Sequence, residues 1–154
     1  MAQARGTLDL MRVLGVDYGR KRIGLALSDA TGLLARPWKT IASRGAIPAV
    51  AADLANHVRE LRGEADGIGA VVLGFPRRLS GEPNEQTPLV EALAAALRAL
   101  IADLPIVLQD ERLSSHAADA ILAEREKDWK KRKPLLDAAA AAVILQDYLD
   151  TQPR

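Results

Sequence analysis

Met11-Arg12-Val13-Leu14-Gly15-Val16-Asp17-Tyr18-Gly19-Arg20-Lys21-Arg22-Ile23-Gly24-Leu25-Ala26-Leu27-Ser28 is the stretch that decides the fold. Its first part, Met11–Asp17, is a short run rich in Val and Leu, closed by the turn residues Tyr18-Gly19, and reads as a buried strand. Arg22–Ser28 reads as a second. Only a few polar residues separate them, enough for a hairpin and too few for a crossover, which takes about a dozen or more residues. The two strands should therefore pair antiparallel.

Working outward, a third strand falls within Leu33–Ile41, where Pro37 puts it at an edge or breaks it. Val50, Leu54, Val58 and Leu61 recur at helical spacing across Ala46–Leu61, and the Gly-rich stretch from Gly63 ends that helix. Ala70–Gly74 is a buried strand, Pro88–Leu104 an Ala/Leu helix and Ile106–Gln109 a further short strand. A serine-capped helix then runs from Ser114 to about Arg125. The closing helix starts near Pro134, which suits a first turn, and runs to Leu149. The expected class is α/β, with a mixed five-stranded sheet, three antiparallel strands followed by parallel ones, flanked by helices. Right-handed crossovers put the carboxyl ends of Met11–Asp17, Ala70–Gly74 and Ile106–Gln109 on one edge, where sites in open sheets collect. Residues 1–10 are expected to be a flexible segment and 11–150 a single domain, as 154 residues suit one core.

Composition narrows the chemistry. The chain has no cysteine, so disulfides, thiolate metal sites and cysteine nucleophiles are excluded, and any metal must be held by oxygen or histidine. Met1–Leu10 lacks the apolar core of a signal peptide and no apolar run reaches membrane-spanning length, so the reading is cytoplasmic, with no membrane partner. The net charge of +1 exerts no global pull on nucleic acid. Basic residues cluster instead at Arg20-Lys21-Arg22 and from Lys127 to Lys133, which includes Lys130, Lys131, Arg132 and Lys133. Aromatic residues make up 3% of the chain, too few for a single-strand reader built on stacking, which leaves phosphate contacts as the mode. Each cluster also reads as a solvated charge run. Trp129 could stack on a base, whereas Trp38 reads as a packing residue.

Asp17 ends a strand, Asp110-Glu111 follows a parallel one, and Asp137 lies in the first turn of the closing helix. At about 100° per residue, Ile144 and Tyr148 lie within about 20° of Asp137 and Ala141 within about 40°, with Gln146 opposite, so Asp137 sits on the apolar face. A lone carboxylate there is a helix cap or an ion-pair partner, and Asp17 beside a glycine is ordinary turn chemistry. Carboxylates that converge imply a bound cation or a raised pKa. Oxygen ligands without cysteine favour Mg²⁺ or Mn²⁺ over zinc. Neither His57 nor His116 has a partner at ligand spacing, and no Ser-His-Asp or Cys-His arrangement exists. A two-metal carboxylate site suits phosphodiester hydrolysis, because it needs no nucleophilic side chain.

These residues resemble the RuvX/YqgF group of RNase H-like proteins, Holliday-junction-resolvase-like and described as nucleases of pre-16S ribosomal RNA. The resemblance runs from Val13 to Leu149. Val16-Asp17-Tyr18-Gly19 with Arg22-Ile23-Gly24 is similar to the opening D-[YF]-G-x-x-R-I-G, and Leu73-Gly74-Phe75-Pro76 with Gly81 to the G-[LF]-P motif and its following glycine. Asp110-Glu111-Arg112-Leu113-Ser114-Ser115 resembles D-E-R-[LF]-[ST]-[ST], and Lys133 with Asp137, Ala139 and Ala140 resembles the closing K-x-x-x-D-x-x-A. The resemblance implies an RNase H-like fold in which Asp17, Glu111 and Asp137 hold the catalytic metal and act on pre-ribosomal RNA or branched DNA; by charge and by place beside that site, Arg20, Lys21, Arg22, Arg112 and Lys130 to Lys133 are expected to meet the nucleic acid. Arg77-Arg78-Leu79-Ser80 departs from the family's usual asparagine and acidic residue. A homodimer would suit a two-fold junction, although no sequence feature marks its interface. Two rivals compete with this reading. A phosphate loop of the actin and sugar-kinase kind needs a second domain that the chain is too short to supply. A binding module that merely keeps the nuclease fold gains nothing from three converging negative charges.

Overall fold

The structure, a computed structural model, describes residues 11–111 and 136–153. β1 (Arg12–Tyr18) pairs antiparallel with β2 (Arg22–Ser28), and β2 with β3 (Ala35–Ala42). β4 (Ile68–Phe75) joins β1 in parallel and β5 (Ile106–Asp110) joins β4 in parallel, giving the order β3-β2-β1-β4-β5. This is the mixed sheet that the hairpin and crossover rules predict. The Ser114–Arg125 helix, Arg112, Lys130, Lys131, Arg132, Lys133, His116, Trp129 and the segment 1–10 lie outside the described residues.

Pro37 does not break β3. The strand is at the sheet's edge, and its register with β2 slips there, Leu25 facing Lys39 and Ala26 facing Pro37, so that Trp38 is the extra residue of a bulge. Helix α1 (Ile47–Arg62) carries proline in its first turn, runs one residue beyond the expected Leu61 and is capped by Gly63. Helix α2 (Thr87–Leu100) stops four residues short of the expected Leu104. Ile101 has left helical geometry at φ −130°, ψ 66°, and Pro105 disfavours a helical Leu104. The chain turns at this point to bury both Ile101 and Leu104.

Period-two alternation sorts the strands onto two faces. Leu14, Val16, Ile23, Leu25, Val71 and Leu73 join the apolar faces of α1 and α2 in one core. Val13, Ala26, Ala70 and Val72 face the closing helix α3 (Leu136–Asp150), which buries Ala141, Ile144, Leu145 and Leu149 against them. Alternation along β1 carries this second face through Gly15 to Asp17.

Gln146, on the side of α3 opposite Asp137, reaches the β2–β3 turn. Its Oε1 accepts from the Ala35 N–H at 2.9 Å and its Nε2 donates to the Leu33 carbonyl at 2.9 Å. A side chain that satisfies two backbone groups is worth about 1 kcal/mol when lost. Gln146→Ala is accordingly expected to lower Tm by about 2–4 °C and to speed amide exchange at Ala35, with no effect at the opposite sheet edge. Unchanged exchange at Ala35 would refute the clamp.

Candidate active site

The carboxyl ends of β1, β4 and β5 do lie together, and the first turn of α3 closes over them. Asp17 is opposite Gly24 in the β1–β2 ladder. Glu111 follows β5, its N–H donating to the Phe75 carbonyl at the end of β4. Asp137 is in the first turn of α3, where the helix dipole favours a negative charge.

Three glycines let these groups approach one another. A Cβ on Gly15 would stand 2.8 Å from the Leu145 Cβ and 3.1 Å from the Ala141 carbonyl. On Gly24 it would fall into the Asp137 backbone carbonyl, and lie 2.9 Å from the Ala138 nitrogen. On Gly74 it would fall onto Glu111 Oε2 and lie 2.7 Å from Ile144 Cδ1. Three adjacent strands thus bare their backbone beneath α3, which sinks far enough to bring Asp137 to the sheet and leaves Glu111 the space over Gly74.

Electrostatics distinguish the three carboxylates. Burial pushes Asp17 up from its ordinary 3.8 to about 6; its hydrogen bond with Glu111 opposes the rise and the charge of Asp137 adds to it. Burial pushes Glu111 further, from 4.5 to about 9, reinforced by the Asp17 charge, the shared hydrogen bond and the charge of Asp110. Glu111 therefore keeps a proton near neutrality and donates it to Asp17. The buried Glu111 Oε2 has no hydrogen-bond partner among the described residues. Asp137 is engaged differently, its Oδ2 accepting from Arg22 Nε at 2.7 Å. Among the described residues no three carboxylate or imidazole groups stand at ligand distance from one point. The structure thus joins Asp17 to Glu111, brings Asp137 near enough for its charge to act on Asp17, and gives Asp137 to Arg22.

The predicted basic turn lies at the same end of the sheet. Arg20 and Lys21 are exposed between β1 and β2. Arg22, expected to meet phosphates, is half-exposed and ion-paired with Asp137. His57 and Trp38 pack edge to face, with ring centroids 6.2 Å apart, and the His57 ring nitrogen lies 2.9 Å from the Asp53 carbonyl. Both act as packing residues. Arg77 was singled out in the sequence only as a departure from the family pattern, and it reaches back to Asp110 at 2.6 Å. No local motif signals that contact. The glycines were legible as motif letters, but their reason, close cover by α3, depends on tertiary structure.

The donor set suits a hard divalent cation. All of its candidate atoms are carboxylate oxygens, one of them buried and unsatisfied, and two of the carboxyl groups are forced to share a proton that a cation would displace.

Residues 11–151 match the model of the family described as RuvX: Holliday junction resolvase. The chain belongs to the RuvX family. Among its relatives, a Geobacillus kaustophilus protein named "Putative pre-16S rRNA nuclease" is 40% identical over 144 residues, covering 92% of this chain and 99% of the relative. Proteins of the same name from Moorella thermoacetica and Prosthecochloris aestuarii are 40% and 38% identical, covering 91% and 90% of this chain and 95% and 93% of theirs. In structure, the RuvX chain is similar to Thermus thermophilus RuvC, with a TM-score of 0.55 and 17% identity over 92% of this chain and 98% of that one. A second structure, T. thermophilus RuvC in complex with a Holliday junction substrate, gives 0.51 and 18%, over 90% and 93%. At such identities the likeness bears on fold, and it is the RNase H-like fold expected from the motifs.

Proposed function

We propose that this chain is a metal-dependent nuclease that hydrolyses phosphodiester bonds, with Asp17, Glu111 and Asp137 as ligands of Mg²⁺ or Mn²⁺. The observation that carries the reading is the Asp17–Glu111 pair, two carboxyls held in contact around a buried oxygen with no donor among the described residues. A fold maintains such a pair at a cost in stability, which a cation offsets. A two-metal site supplies a water of lowered pKa and a stabilised leaving oxygen.

The chain's own residues prepare that chemistry. Arg22 neutralises and orients Asp137, which would hold the cation with Asp17 and Glu111, and the same guanidinium would be placed to meet a substrate phosphate. Arg20 and Lys21 flank the same opening as phosphate contacts, with Arg112, Lys130, Lys131, Arg132 and Lys133 assigned to the same role from the sequence. The substrate we favour is the 5′ end of pre-16S ribosomal RNA, the molecule named in the relatives' descriptions. Branched DNA is the second reading, favoured by the family's description as a Holliday junction resolvase, and a homodimer would match its two-fold symmetry. A polyanion binder without catalysis would be ill served by the acidic pair. Among the described residues no helix is long and apolar enough to cross a membrane. We assign the protein to the cytoplasm on its proposed substrate.

The test offers the purified protein a 5′-extended 16S precursor and a four-way DNA junction side by side, each with Mg²⁺, with Mn²⁺ and with EDTA. Cleavage of the precursor is expected with either metal and is abolished by EDTA. Cleavage that persists in EDTA, or failure on both substrates with both metals, would overturn the reading.

A further inference from the structure

Twelve lysine and arginine side chains lie within the described residues, and they divide by whether they hold a partner. Seven of them do, whether an acid, as Arg62 holds Asp103, or a carbonyl, as Arg98 holds Ile106. The other five, Arg20, Lys21, Arg36, Lys39 and Arg44, are exposed, and none of their side chains makes a hydrogen bond or an ion pair among the described residues. All five follow one border of the sheet: the β1–β2 turn, the edge strand β3 and the loop after it.

That border is continuous with the acidic site. The Ser43 N–H donates to the Lys21 carbonyl at 3.0 Å and Ala42 is the register partner of Arg22, so the chain carries Arg44 past the basic turn. From there the border leads away from the site. At about 3.3 Å per residue, Arg36 is roughly 20–25 Å from Arg44. Leu27 and Leu25, the register partners of Arg36 and Lys39, belong to the core on the α1 side of the sheet, so both cations leave β3 on that side. Trp38 packs between them, and Lys39 Nζ stands 4.4 Å over its ring, which holds the ammonium at the surface. Residues 30–52 include no Asp or Glu. The acids that bound this run are engaged: Asp29 Oδ1 accepts from the Leu33 and Leu34 N–H groups, and Asp53 Oδ1 lies 3.7 Å from the His57 ring nitrogen.

We propose that β3 and its flanks form a phosphate track, in which Arg44, Lys39 and Arg36 hold the backbone of a nucleic-acid arm that leaves the active site past Arg20 and Lys21. The proposal rests on the nuclease reading and says where its substrate continues. Charge identifies the occupant. A border of cations with no protein anion matches a polymer bearing a charge about every 3.4 Å along each strand, and its length fits about six or seven base pairs. No ion pair has to break before these side chains meet phosphates, so the release of counterions from the nucleic acid is gained in full.

The experiment measures binding of the full chain to a four-way DNA junction and to a 5′-extended 16S precursor in EDTA, over a series of salt concentrations, and then cleavage with Mg²⁺. Wild type is compared with Arg36→Gln/Lys39→Gln and with Arg59→Gln/Arg62→Gln, which removes the same charge from the end of α1. At about 0.15 M salt the β3 variant should bind at least about tenfold more weakly than wild type, and the slope of log K against log salt should shrink by about two. Its KM should rise with kcat within about twofold of wild type, as expected for contacts made equally in ground and transition states. The α1 variant should match wild type throughout. An unchanged slope in the β3 variant, or an equal loss in the α1 variant, overturns the track and leaves the nuclease intact. So does a β3 variant that keeps its affinity and self-associates on gel filtration, the result expected of cations that only shield an edge strand from pairing with another chain. A wild type that shows the β3-dependent binding and cleaves neither substrate upholds the track and overturns the nuclease.

Discussion

Asp17→Asn is expected to cut cleavage by at least about 10²-fold while making the metal-free protein more stable, two effects of opposite sign from one atom. Loss of an outer partner of a metal ligand already costs about 10- to 100-fold, and a ligand itself should cost more. The stability gain follows from linkage. Asp17 rises from 3.8 to about 6 and Glu111 from 4.5 to about 9 on folding, so the folded protein binds protons more tightly than the unfolded chain. For groups raised in this way, the favourable contribution is complete below the unfolded values near pH 4 and is lost as pH climbs through about 6 and then about 9. Metal-free wild type should therefore lose Tm steadily between pH 5 and pH 9.

The asparagine keeps an acceptor for the Glu111 proton and removes the charge. Its Tm should fall less over that range and exceed wild type at pH 8 by a few degrees, a shift worth on the order of 1 kcal/mol at this chain length. Saturating Mn²⁺ should then invert the ranking, since only the wild type gains fully from a cation that binds the native state alone. Thermal melts at pH 5, 7 and 9, with and without Mn²⁺, check the prediction. A variant that cleaves like wild type would remove Asp17 from the mechanism.

Gly24→Ala is expected to disable the enzyme without touching any group that acts on substrate. The added methyl would fall into the backbone of Asp137, and backbone cannot swing aside as a side chain can. Helix α3 has to lift. A displacement of about 1 Å at a catalytic group can cost on the order of 10²-fold in rate, and forced overpacking typically costs about 1–3 kcal/mol. Loss of cleavage and a marked drop in Tm should therefore appear together. The Arg22–Asp137 ion pair should be disrupted as well. Gly63→Ala is the matched control. Its Cβ meets the Glu60 carbonyl at an ordinary 3.4 Å, with φ at −79°, so it should cleave normally and melt no earlier than wild type. Equal activity in Gly24→Ala and Gly63→Ala would show that α3 does not need its close seat.

The parts legible in the sequence were those encoded locally. Hydrophobic runs and turn residues located β1 and β2, the crossover rule oriented β4 and β5, and helical spacing put Asp137 toward the sheet. Asp17 and Glu111 were found by their places at strand ends together with the motifs around them. The illegible parts depend on which element covers which face. Gly24 and Gly74 were visible, yet nothing local says that a helix more than a hundred residues downstream of Gly24 will press on it. Arg22 pairs with a residue 115 positions away, and Gln146 with a turn 111 and 113 away, separations at which no periodicity speaks. The early end of α2 reflects the need to bury Ile101 and Leu104, which outweighed the helix propensity of its sequence.

The seat of α3 on the bare sheet has a bearing on when the protein becomes dangerous to nucleic acid. Positions 17, 111 and 137 come from the first strand, the residue after β5 and the closing helix, so no shorter assembly of elements contains all three. If the three proposed ligands act together, a sheet that has formed without its closing helix would be harmless, and a chain whose helix has undocked would revert to that state. Phosphodiester cleavage would therefore report, in a single readout, that the whole polypeptide has reached its native topology.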